Sequence, residues 1–200
     1  MPILRITKNG NPLCTIGSDD VWAFSASLSM DVWGPEVSSL DISGGSKRRP
    51  SGESDFLFWE ISHELKKQDR LSFHFEAGSK SSPQGTRFNP DAPPQKEVKL
   101  DPNFPTTETN PKDLEAYPAI NTDIVWSLSL NGAPSVKVKP DTERQHLMLQ
   151  MIWNEDNHPE TLSLSLFKKS LREIMDDSDG EVIFSEAIPV GSAIDMIIGD

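Results

Sequence analysis

The sequence predicts an all-β protein. It reads as antiparallel β-sandwich built from two tandem duplicated halves of about six strands each, with one short helix near 168–176. Three observations carry this: strict two-residue alternation, Asn-Gly turns at matching places, and a repeat at near-constant offset. In "VWAFSASLSMDV", Trp22, Phe24, Ala26, Leu28, Met30 and Val32 fall on one face, with mostly serine on the other. That is the pattern of a strand with one buried and one wet face. "IVWSLSL" places Ile124, Trp126, Leu128 and Leu130 together, and "TLSLSLF" does so for Leu162, Leu164 and Leu166. Asn9-Gly10 and Asn131-Gly132 are hairpin turns, because both residue types accept positive φ.

Those turns open a longer correspondence. "ITKNGNPLCTI" aligns with "LSLNGAPSVKV" at an offset of 122, "GPEVSSLDIS" with "HPETLSLSLF" at 124, and "LKKQDRLSFHF" with "IPVGSAIDMII" at 123. Three matches in order at near-constant offset indicate tandem duplication. Strands are expected near 3–8, 12–17, 21–32, 36–43, 56–61 and 70–76 in the first half. In the second they are expected near 123–130, 135–139, 146–153, 161–167, 181–187 and 193–198. Phe167, Leu171, Ile174 and Met175 break the alternation with helical spacing, and "HELKKQD" reads as a helical turn.

The domain organisation follows: 1–76 as first β repeat, 77–122 as connector, 123–200 as second β repeat, with the halves packed together because about 75 residues make a thin core. The connector holds eight of the sixteen prolines, which block ladder pairing and helix interiors. Phe88, Leu100, Phe104 and Tyr117 are its candidate anchors to the surface. "SGGSKRRPSGES" reads as a flexible insert carrying the only basic cluster, Lys47-Arg48-Arg49.

The net charge of −12 argues against binding nucleic acid through phosphates. Residues 123–200 hold fourteen Asp/Glu against six Lys/Arg, so most of the negative field lies on the last third. No apolar run is long enough to span a membrane, and "MPILRITKNG" has no secretory h-region. With a single cysteine, Cys14, there is no internal disulfide framework, and a reducing, cytoplasmic setting is the expectation. Cys14 itself reads as a small packed side chain rather than a nucleophile.

Two stretches concentrate polar chemistry. "WNEDNHPE" offers Glu155, Asp156, His158 and Glu160 as metal ligands or an acid/base pair. Its twin in the first half is "DVWGPE", which lacks the extra acids and the histidine, so the shared element is a turn. "IMDDSDGEVIFSE" places Asp177, Asp179, Gly180 and Glu186 at calcium-loop positions 3, 5, 6 and 12. Met175 stands at position 1, however, and a strand pattern follows instead of an exiting helix. No zinc spacing links His63, His74, His146 and His158, and no G-x-S-x-G, P-loop or G-x-G-x-x-G is present. No cofactor or metal is implied.

Of the tryptophans, Trp22, Trp59, Trp126 and Trp153 are expected in the core, and Trp33 caps the sandwich end or serves as an exposed anchor. The expected function is a non-enzymatic module whose acidic surface engages a basic protein partner, as an inhibitor such as a bacterial toxin-immunity protein would. Its contacts would be Trp33, Glu155, Asp156, His158, Glu160, Asp176, Asp177, Asp179 and Glu181. A carbohydrate- or small-ligand-binding sandwich is the first alternative, and a structural component of a phage or secretion particle the second.

Overall fold

The computed structural model describes residues 1–30, 38–89 and 121–199. In order the elements are β1 (Pro2–Lys8), β2 (Asn11–Gly17), β3 (Val21–Met30), β4 (Ser38–Ser46), β5 (Phe56–Leu65), β6 (Arg70–Ala77) and β7 (Thr86–Arg87). Then come β8 (Trp126–Leu130), β9 (Val136–Val138), β10 (His146–Asn154), β11 (Thr161–Lys169), α1 (Leu171–Met175), β12 (Glu181–Pro189) and β13 (Ser192–Ile198). They form two antiparallel sheets, ordered β2-β1-β6-β13-β8-β9 and β12-β11-β10-β3-β4-β5-β7. Their apolar faces meet in one continuous core drawn from both halves. The fold is the all-β sandwich the alternation predicts, and α1 falls where the helical spacing puts it. Trp33, the rest of the "DVWGPE" turn and residues 90–120 of the connector lie outside the described residues.

Both sheets read alike from either end. β2-β1-β6 mirrors β9-β8-β13, and β5-β4-β3 mirrors β12-β11-β10. The registers repeat with the offsets seen in the sequence. Lys8 pairs with Leu71, and moving these by 122 and 123 gives the observed pair Leu130 and Ile194. Ser38 pairs with Leu65, and moving these by 124 and 123 gives Leu162 and Ile188. Contacts between halves are reciprocal, as a twofold requires. The Gln68 N–H donates to the Ile198 carbonyl at 2.7 Å, and the Gly191 N–H donates to the Phe75 carbonyl at 2.7 Å. The pseudo-twofold axis passes between Ser72 and Asp195, twin positions that face each other and share a 2.6 Å hydrogen bond.

The Asn-Gly turns explain part of this symmetry. Asn9 and Gly10 have φ of 53° and 77°, and Asn131 and Gly132 have 52° and 71°. Positive φ at both central residues is the hairpin geometry that matches strand twist. Each asparagine then staples its hairpin to the next strand. Asn9 Oδ1 accepts from the Arg70 N–H, and Asn131 Oδ1 from the Ala193 N–H, both at 2.8 Å.

Four local expectations are corrected. "HELKKQD" is not a helical turn: His63, Glu64 and Leu65 finish β5, and Gln68 at φ 72° makes the tight turn into β6. Trp22 is not on the buried face. A register shift between Val21 and Ala23 turns Val21 inward, fully buried, and leaves the indole outside. Trp59 is only partly buried, and its indole N–H donates to the Pro83 carbonyl at 3.0 Å. The "SGGSKRRPSGES" insert is partly strand, because Gly44 and Gly45 belong to β4. Gly45 lies under the Trp22 ring, where a Cβ would collide with the indole nitrogen.

The described start of the connector makes local contacts. Ser82 bridges Thr15 of β2, β7 pairs with β5, and Phe88 packs edge-on against Phe56 at 6.0 Å between ring centres. Cys14 is 4% exposed, and burial pushes its thiol up to about 12. The thiol is therefore expected to resist a disulfide-exchange reagent at pH ~8 in the native protein and to react at once in denaturant. Fast native labelling would contradict that placement.

Candidate binding site

The third strands of the two halves, β3 and β10, pair at the centre of the seven-stranded sheet. "WNEDNHPE" leaves the end of β10 and turns into β11. Its backbone turns on Asn154, whose Oδ1 accepts from the Asp156 N–H at 2.8 Å. The Trp153 indole is 1% exposed, stacks on Phe24 at 5.3 Å, and donates to the Pro159 carbonyl at 3.0 Å. So the loop is held from below by a core tryptophan, and its acids are left at the surface.

Two of those acids are already engaged. Glu155 meets Lys47 Nζ at 2.6 Å, and Asp156 meets Arg48 at 2.7 Å. The Arg48 guanidinium also lies 4.0 Å from the centre of the Trp22 ring. Arg49 pairs with Asp55 at 2.7 Å. The basic cluster of the first half thus closes over the acid loop of the second. These pairs are a third to a half exposed, so each adds only about 0–1 kcal/mol, but together they orient the loop.

On one side of the loop lies a cavity of about 470 Å³ at the end of the sandwich. Trp153, Pro189 and Val190 form part of its wall, Glu155 and Glu160 bring carboxylates, and Ser18 brings a hydroxyl. Ser18 is 1% exposed, and its Oγ has no hydrogen-bond partner among the described residues. Burying a hydroxyl unpaired is costly, so it is available to a ligand. On the other side, Asn157 and His158 border a groove that Ser185, Glu186 and Ala187 of β12 complete on the outer face of the sheet.

The second acid cluster follows α1. Ser170 and Glu173 form a reciprocal capping box, with Oε2 of Glu173 accepting from the Ser170 N–H at 2.7 Å. Arg144 adds contacts to Glu173 at 3.0 Å and to Glu181 at 3.8 Å. The Ser170 N–H, helped by Arg144, outweighs burial and holds the Glu173 carboxyl below its ordinary 4.5. A depressed carboxylate contributes stability that is complete above about pH 4.5 and is lost as pH falls through the lower folded value. Glu173→Gln should therefore flatten the fall in urea midpoint between about pH 5 and 3. An unchanged slope would remove Glu173 from that role.

Asp176 pairs with Arg172 one turn back at 3.5 Å. Asp177 ends the helix at φ 50°, a conformation Asp tolerates, which explains the residue there without invoking calcium. Glu186 stands mid-strand in β12, and among the described residues no three His, Cys, Asp or Glu converge on a point that would hold a metal.

The nine contacts expected from the sequence thus divide. Trp33 lies outside the described residues. Glu155, Asp156, Asp176 and Glu181 have cations within the chain, while His158, Glu160, Asp177 and Asp179 remain at the surface with no ion pair among the described residues. The sequence singles out neither Ser18 nor Val190, and it marks Lys47, Arg48 and Arg49 as a basic cluster without placing them at this loop. These residues come from segments far apart in the chain: the pairing of β4, β3 and β10 brings Ser18, Lys47 and Arg48 to this loop, and the β11–β12 pairing brings Val190. The chain matches no protein-family model, no curated protein and no solved structure.

Proposed function

We propose that this protein is a non-enzymatic binding module that engages a basic protein partner along the β12 side of its second half. One observation carries this reading. Four carboxylates, Glu160, Asp177, Asp179 and Glu186, lie on β12 or at its two ends, and none has a cation partner among the described residues. The basic cluster Lys47-Arg48-Arg49 of the first half is spent on Glu155, Asp156 and Asp55. A one-sided acidic field of this kind steers a cationic partner and speeds encounter. An inhibitor of a basic protein, the immunity type included, has this character. The test is capture of partners by the native protein and by the triple variant Glu160→Lys, Asp177→Lys, Asp179→Lys. A basic protein retained by the first and lost by the second supports the proposal. Equal retention overturns it.

A second reading has an observation of its own. The end cavity is of ligand size, joins an apolar wall of Trp153, Pro189 and Val190 to two carboxylates, and holds the Ser18 hydroxyl, which has no partner among the described residues. It fits a small molecule with an apolar body and a polar or cationic head. A thermal shift with such a ligand that Ser18→Ala abolishes would favour it.

A further inference from the structure

We propose that the outer edge of β12 accepts an extended, basic segment of the partner as an added strand. This deepens the proposal of a basic partner and rests on it. The two halves are near-twins in their strands but not in how their edges are closed. In the first half, β5 is covered by β7, and β2 is bridged at Thr15 by Ser82. In the second half, β9 is three residues long and stands between Pro134 and Pro140, an edge that pairs poorly.

β12 is the counterpart of β5. It is nine residues long, ends the seven-stranded sheet, and has no strand on its outer side among the described residues. Val182 on it is 60% exposed. A row of unpaired backbone groups with an exposed apolar side chain is the template for strand addition. The strand spans about 30 Å at ~3.4 Å per residue. Asp177 and Asp179 precede its first residue, and Glu160 sits beside its last, where its carbonyl accepts from the Val190 N–H. Asp177 and Asp179 thus stand at one end of the edge and Glu186 lies along it, while Glu160 adds a carboxylate near the other end from the β11 side.

That arrangement selects the occupant. A second copy pairing antiparallel through β12 would set the Asp177–Asp179 end of one chain against the Glu160 end of the other, acid against acid, in a chain of net charge −12. An extended segment with Lys or Arg near both ends meets opposite charge at each. β7 on β5 gives the antiparallel orientation.

The test uses the whole protein and two synthetic nonapeptides of equal charge. One alternates Lys, Val and Thr, and the other carries proline at alternate positions and cannot pair. Amide exchange is followed residue by residue. The expected result is that the alternating peptide slows exchange of β12 amides at least about tenfold, while the proline peptide does not. Val182→Lys with Glu186→Lys, both on exposed positions, should abolish the protection and leave the far-UV spectrum unchanged. If both peptides bind alike and β12 gains no protection, strand addition is overturned while the basic-partner proposal stands. Protection confined to another edge, β12 protection by self-association without peptide, or no binding of either peptide also overturns it. Failure of the partner proposal is read separately, from the capture experiment.

Discussion

Trp153→Ala is expected to lower the unfolding free energy by about 3–5 kcal/mol, the usual cost of truncating a buried aromatic. The indole is 1% exposed and stacks on Phe24 with ring planes 21° apart. Phe24 belongs to the first half and Trp153 to the second, and their strands pair directly. The cavity left behind would thus lie on the seam, and the Pro159 carbonyl would lose its donor. Because one core runs through both halves, the loss should appear as a shift of a single cooperative transition. Trp22→Ala is the contrast. That ring lies outside under Arg48, so its loss should cost no more than about 1 kcal/mol. Urea unfolding followed by circular dichroism separates the two. Two resolved transitions in Trp153→Ala, or equal costs for both variants, would mean that the seam is not a shared core.

Much of this architecture was legible in the sequence because period-two burial leaves a direct trace. Leu162, Leu164 and Leu166 alternate with serine, and all three are buried. The repeat offsets were legible for a deeper reason. Register is fixed by which face each side chain takes, so a duplicated pattern must duplicate the pairing. What escaped was of two kinds. One residue of slippage at Val21 moved Trp22 from inside to outside, and nothing in the alternation marks a bulge. The other kind is contact between remote segments. Lys47 and Glu155 are 108 positions apart, and they meet only because β3 pairs with β4 on one side and β10 on the other. The repeat alignment contained a hint: if third strands join the halves, the loop after β4 must lie beside the loop after β10. The cavity with Ser18 left no linear signal, since its walls come from both ends of the chain.

These ion pairs also decide which acids should be reversed to test recognition. Glu155→Lys would place a second cation beside Lys47, confusing destabilisation with lost binding. Glu160, Asp177 and Asp179 have no such partner among the described residues, so reversing all three should cost at most about 1–2 kcal/mol, most of it from Lys at the positive φ of position 177. The change in net charge is six, from −12 to −6, all of it near the ends of β12. Steering depends on the field ahead of contact, so the association rate with a captured basic partner should fall by about 10- to 1000-fold at low salt. The slope of that rate against ionic strength should flatten, because less attraction is left to screen. Dissociation should change less, since groups that remain wet contribute little once the complex has formed. A fall in affinity carried wholly by faster dissociation would place these acids inside a desolvated contact. An unchanged association rate would mean that the acidic side is solvated surface, and the partner would have to be sought at the end cavity instead.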